Sequence, residues 1–441
     1  MTYFLPPAAR RASVLATLLL TSAVGVQAQT LGNSPYSRLG VGELPPGAGL
    51  VRNQGMAGAG VAAPNQFYVN ERNPALIWHT RYVTFDVGLT GQLKTLKTST
   101  QSQRTGNATL GYFALALPIS SRWGAVVGLR PFSTVDYENR SEIGITGDPL
   151  GRVELRSKGE GGLSQVYMGH GVRVAGGLSA GVEASYVFGS TESTTSTRLL
   201  AGTGIGASTE RTVVLERRRY GDLLLRGGLA YTQNIGSELK LTAGATMEFA
   251  KDFDVQRRRT QERRLVAQAD RIQESLVLAD SITSRTHLPG ALTAGVGLAN
   301  ATGTRMITVE ARTQPWSQYR RDGVAQRGLA DAWQVAIGSE WTPDPASVDS
   351  YFRRMTYRVG VYAGENGWQD RANVSLRDAG VTWGFALPLG KVATFEGATV
   401  QTAFAYGQRG FNSDVSVRES YVRAHIGVAF NSLWFVKRRI E

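Results

Sequence analysis

Cysteine is absent from the 441 residues. That excludes a disulfide framework, a thiolate metal site and lipoprotein acylation. Histidine is scarce too, with four residues, His79, His170, His287 and His425, scattered along the chain. No H-E-x-x-H pair occurs, and the G-x-S-x-G match from Gly177 to Gly181 opens an alternating segment rather than a helix and so forms no nucleophile elbow; neither zinc nor serine hydrolase chemistry has a footing, and no cofactor is expected. Gly202, Gly204 and Gly206 form a glycine-rich run, but it precedes no helix that could cradle a phosphate. Only 19% of residues are charged. Long apolar runs are missing after the N-terminus and the mean hydropathy is −0.17, which excludes a helical protein of many membrane spans. A membrane β-barrel stays open, because each of its strands hides an apolar face in an alternation that averages away.

The N-terminus has the form of a secretory signal. Arg10 and Arg11 precede an apolar run from Ala12 to Val26, and Val26-Gln27-Ala28 supplies small residues before Gln29. Residues 1–28 are therefore expected to be removed, which lowers the formal charge from +13 to +11 through loss of Arg10 and Arg11. Export makes nucleic acid an improbable partner.

What the chain has in quantity is glycine, 52 residues, and alternation. From about Tyr82 to Phe430, apolar residues recur at every second position in segments of about ten residues, the length a tilted strand needs to cross an outer membrane. In 238–250, Leu239, Leu241, Ala243, Ala245, Met247 and Phe249 share one face, opposed by Lys240, Thr242, Gly244, Thr246 and Glu248. About fourteen such segments follow one another. Tight turns follow the second, fourth, sixth and eighth, and long polar stretches follow the odd-numbered ones. The expectation is an all-β fold, a transmembrane up-and-down antiparallel barrel of about fourteen strands over 81–441, in a Gram-negative outer membrane. Both barrel termini then lie on the periplasmic side. In the last strand Val422, Ala424, Ile426, Val428 and Phe430 face lipid, with Trp434 and Phe435 as an aromatic girdle.

Before the strands, Leu50 to Trp78 holds Gly55, Gly58 and Gly60 and closes on Asn73-Pro74-Ala75. Such small residues let backbone approach backbone but supply too little bulk for a core of their own. Residues 29–80 are thus expected to form a hatch inside the barrel, entering from the periplasmic side. Arg52, Gly55, Ala57 to Gly60, Asn70 and Asn73-Pro74-Ala75-Leu76 resemble the hatch of the FadL-type long-chain fatty-acid transporters of the outer membrane. Two further stretches, 33–44 and 406–421, resemble a Bacteroidota-type branch of that family. The resemblance implies passive transport of hydrophobic small molecules past the hatch. Relatives of PorV type, which bind protein partners of the type IX secretion system, imply a rival role. A purely structural barrel is a third.

The polar strand faces place charges in the interior: Asp86, Arg130, Glu183, Arg226, Lys240, Glu248, Glu310, Arg312, Glu340, Arg358, Arg423 and His425. They are expected to pair with one another or with the hatch, or in one or two cases to meet a substrate carboxylate. Arg130-Pro131-Phe132 interrupts the third strand. A proline there removes a ladder hydrogen bond, and the resemblance implies a kink that opens the wall sideways. The alternative is that Pro131 only marks a strand end. In 251–287, Leu265, Ala269, Ile272, Leu276 and Ala279 recur at helical spacing, which predicts an amphipathic helix that lids the outer mouth or packs on other loops. Arg217, Arg218, Arg219, Arg320 and Arg321 fall in predicted external loops, where lipopolysaccharide phosphates are the expected counter-charge.

Overall fold

Fourteen strands close on themselves. The computed structural model describes residues 34–44, 49–203, 206–370, 372–389, 397–412 and 417–432. The expected signal peptide, Asn33, Gly204 and the girdle residues Trp434 and Phe435 lie outside the described residues.

The strands are β1 (Val83–Lys97), β2 (Ser102–Ser120), β3 (Trp123–Ile145), β4 (Asp148–Ala175), β5 (Leu178–Ala201) and β6 (Glu210–Ile235). There follow β7 (Leu239–Glu248), β8 (Lys251–Leu265), β9 (Arg271–Leu288), β10 (Ala291–Asn300), β11 (Arg305–Gln314), β12 (Arg320–Arg321) and β13 (Val324–Ala325). The chain ends with β14 (Ala332–Trp341), β15 (Thr356–Gln369), β16 (Ser375–Leu389), β17 (Gly397–Arg409) and β18 (Arg418–Ser432). The barrel omits β8, β9, β12 and β13: β7 pairs with β10, β11 with β14, and β1 with both β2 and β18. All pairings are antiparallel. Fourteen barrel strands therefore lie where the alternation puts them, and β7 turns Thr242, Gly244 and Thr246 inward as expected.

The external half differs from expectation. The stretches read as long polar loops continue the sheet instead: β3 to β6 run for 23, 28, 24 and 26 residues. A membrane crossing uses only about ten, so one side of the barrel carries a tall flange. Residues 251–287 are not a helix. They prolong two barrel strands, β8 beside the outer part of β6 and β9 beside β8. Ala269 and Asp270, both at positive φ (50° and 58°), turn the chain between them. The helical spacing lost because cross-strand partners were available: Arg263 faces Glu274 and reaches Glu210, and Arg211 reaches Asp270. Arg217 to Arg219 accordingly sit on β6, and Arg320 and Arg321 form β12. Lys240 leaves the interior list, being exposed at the periplasmic rim where it donates to the Ala301 carbonyl.

Candidate functional site

The N-terminal segment occupies the barrel at two levels. Residues 49–80 fill the periplasmic half, and their packing explains the wall glycines. A Cβ on Gly244 would stand 2.2 Å from the Val61 carbonyl oxygen, and one on Gly181 2.3 Å from the Pro74 carbonyl carbon. No other residue lets the hatch backbone lie this close. Pro74 opens a short 3-10 turn, Pro74–His79, and the Asn73 side chain accepts from the Ala75 amide at its start. The same side chain donates to Val61 O within the hatch and to Leu229 O on β6, at 2.9 and 3.0 Å. Asn73, Pro74 and Ala75 are buried.

Three buried ion-pair groups bolt the hatch to the wall. Arg52 grips both oxygens of Glu340 (3.0 and 3.1 Å), and Arg358 binds the same carboxylate at 2.7 Å. Glu310 accepts from the Gly60 and Val61 amides and from Arg72 at 2.6 Å. Arg130 joins Glu71 of the hatch (2.9 Å) to Glu183 of β5 (2.7 Å), while Arg226 binds Glu183 and the Glu71 carbonyl. Burying charge is tolerable only where each ion meets an opposite one, and removing one partner of a buried pair costs about 3–5 kcal/mol.

Residues 34–44 lie at the other level, across the external mouth. This corrects the expected path: the described hatch starts outside and descends. Glu43 carries the attachment, pairing with Lys94 of β1 (2.8 Å) and with Arg409 of β17 (3.0 Å). Arg409 also binds Asp378 and Glu419.

The wall between β2 and β3 is split. The two strands pair only from Phe113 to Ser120 and from Trp123 to Leu129. Above that level β2 pairs with β1 alone, β3 with β4 alone among the barrel strands, and the β3–β4 register shifts between Pro131 and Ser133. The edge that β2 leaves on β3 is taken over by the N-terminal segment. Glu43 and Thr134 exchange both backbone hydrogen bonds (2.8 and 2.9 Å), Ser34 N donates to Asp136 O, and the Ser133 hydroxyl donates to Val41 O. Between mouth and hatch lies a cavity of about 640 Å³ that reaches both sides of the split; Tyr112, Arg130, Glu183, Arg226, Arg423 and His425 are among its walls.

A BamG family model matches residues 10–441. The chain belongs to the BamG family. No curated protein matches it in sequence. Its fold is similar to that of a Pseudomonas aeruginosa FadL homologue, at 11% identity over 88% of this chain and 98% of that one, with a TM-score of 0.57. It is also similar to the toluene transporter TbuX of Ralstonia pickettii (14%, 88% and 99%, 0.52) and to the monoaromatic hydrocarbon channel CymD (13%, 88% and 98%, 0.52). At such identities the likeness shows the fold alone, a FadL-like fourteen-stranded barrel.

Within this BamG barrel the charges named from sequence serve different ends. Arg130, Glu183, Arg226, Arg358, Glu310 and Glu340 belong to the hatch bolts. Glu248 is held bidentately by Arg312, at 3.0 and 2.9 Å, on the wall. Asp86 accepts from the Tyr112 hydroxyl and from Gln401. Arg423 donates through Nε to Gln92, and His425 Nδ1 contacts the Thr90 hydroxyl; Arg423 Nη2 and His425 Nε2 are buried without a partner. Pro131 lies at the register shift where the split begins. Sequence reading missed Glu43, Glu71 and Arg72, which lie in a segment without periodicity. It also missed Lys94, Asp378 and Arg409, which lie toward the outer ends of β1, β16 and β17.

Proposed function

We propose that this BamG-family barrel is a BAM-associated component of the outer membrane that binds protein partners through its flange, with the hatch held in place. The observation that carries this reading is the hatch attachment. Three buried ion-pair groups join it to the wall, and they close the floor of a cavity in which guanidinium and carboxylate groups stand beside apolar residues such as Phe132, Leu163 and Trp316. The family supplies the partner class, since its name marks association with the barrel-assembly machinery. The flange supplies surface. Leu150 (62% exposed), Leu276 (59%) and Val324 (68%) stand exposed on the flange and on the small β12–β13 hairpin.

The split between β2 and β3 favours a second reading, passive release of hydrophobic small molecules sideways into the membrane, with Arg130 and Pro131 at its lower end. One experiment separates the two. The full chain is purified from outer membranes in mild detergent, with and without residues 251–288 replaced by a short turn. The first reading expects stoichiometric barrel-assembly proteins that are lost with the hairpin, and no uptake of hydrophobic dyes by proteoliposomes. Dye uptake without such proteins would overturn it in favour of the second.

A further inference from the structure

The three consecutive arginines of β6 divide their labour by strand alternation. Arg218 turns inward and is buried, binding Glu216 and Asp322. Arg217 and Arg219 turn outward and are exposed, and neither makes an ion pair or a side-chain hydrogen bond among the described residues. The register places Arg258 of β8 directly opposite Arg217. Like charges at opposed positions destabilise a sheet, and among the described residues the only carboxylate on Arg258 is Asp280, at 3.7 Å. Glu192 faces Arg217 from β5 without pairing to it, and Asp254, two residues from Gln256 opposite Arg219, is engaged by Arg285 at 3.6 Å.

Height on the wall gives this cluster meaning. Following the outward face of β6 downward from Arg219, the next residues are Gly221, Leu223 and Leu225, and both leucines are exposed. On β5 the matching residues are Phe188, opposite Gly221, and Tyr186, opposite Leu223. Their rings stack at 6.2 Å and 16°, and the Tyr186 hydroxyl stands over Gly221, 2.9 Å from where a Cβ would be. Outward aromatic residues above a leucine band mark the outer boundary of the hydrocarbon region. Arg219 and Arg217 are the first outward groups beyond that boundary, so their guanidinium groups reach the headgroup layer of the outer leaflet.

We infer that Arg217, Arg219 and Arg258 form a binding site for the phosphate of a phosphorylated outer-leaflet lipid, with Tyr186, Phe188 and Leu223 contacting its acyl chains. Guanidinium groups bind phosphate oxygens bidentately, and three of them in adjacent register exceed the charge that Glu192 and Asp280 together can neutralise. The site is independent of what the flange or the lumen does.

The test uses the full chain in mild detergent and native mass spectrometry, titrated with bis-phosphorylated lipid A, the same lipid dephosphorylated, and inorganic phosphate. Phosphorylated lipid A should bind at least about tenfold more tightly than the dephosphorylated lipid. Inorganic phosphate should not compete at equal concentration. The preference should vanish in R217Q/R219Q/R258Q and weaken in R219Q alone, while R122Q, at an exposed periplasmic turn, should leave it unchanged. Equal binding of the two lipids, competition by free phosphate, or an unchanged preference in the triple variant with its folded gel mobility intact would overturn the assignment.

Discussion

Arg52 of the hatch and Glu340 of β14 meet as a bidentate pair, 288 residues apart in sequence, and both are buried. Arg358 shares the carboxylate, so Glu340 holds two cations that water does not reach. Replacing Glu340 by Gln leaves Arg52 and Arg358 facing each other without a counter-charge. The expected loss is about 3–5 kcal/mol, read as a lower unfolding midpoint in urea. The hatch should also become susceptible to protease while the barrel keeps its folded gel mobility. An unaltered midpoint would mean that the bolt does not hold the hatch.

A milder probe of the same contact is steric. Gly244→Ala brings a methyl group to 2.2 Å from the Val61 carbonyl oxygen, which is backbone and cannot rotate away. Overpacking of this kind costs roughly 1–3 kcal/mol. Gly206→Ala, where nothing lies within 4 Å, should change nothing measurable. If both variants unfold alike, close packing of hatch on wall is not what the small residues provide.

These contacts show where the sequence was readable. The fourteen barrel strands were legible because lipid outside and a polar lumen inside impose a period of two. The hatch was legible in its glycine and in Asn73-Pro74-Ala75. The flange was not, since beyond the membrane no lipid imposes an apolar outer face and period two fades. Gln268-Ala269-Asp270-Arg271 contains neither the glycine nor the asparagine that announces a tight hairpin, so nothing local contradicted the apparent helix. The bolts were half legible. Glu310 and Glu340 lie on periodic strands, while their partners Arg52 and Arg72 lie in a segment whose path only the folded barrel defines.

The small β12–β13 hairpin gives a pH dependence with a definite sign. Asp322 receives both ends of Arg218 (3.1 and 2.5 Å) and one of Arg257 (3.1 Å). The Arg218 hydrogen bond is the main force that holds its carboxyl down from the usual 3.8 to about 2. A depressed carboxyl contributes stability above the unfolded value, and that stability is lost as pH falls through the folded one. The hairpin should therefore loosen between about pH 4 and about pH 2. Pepsin cleavage within 315–331 should rise over that window in the natural chain. D322N should be cut equally across it apart from the enzyme's own pH profile, and a parallel rise in D322N would dismiss the link.

The cap at the mouth offers the sharpest separation of roles, because a chain without cysteine accepts a single engineered disulfide cleanly. Glu43 and Thr134 exchange both backbone hydrogen bonds, a geometry that sets Cα atoms about 5.5 Å apart and within disulfide range. E43C/T134C should oxidise readily and fasten the N-terminal segment to the β3 edge. A barrel that works by binding proteins through its flange should keep its partners whether oxidised or reduced. A barrel that releases molecules through the β2–β3 split needs that edge uncovered, so uptake should stop on oxidation and return with reductant. Loss of partners on oxidation, with uptake absent in both states, would instead place the partner interface at the mouth, on the cap itself.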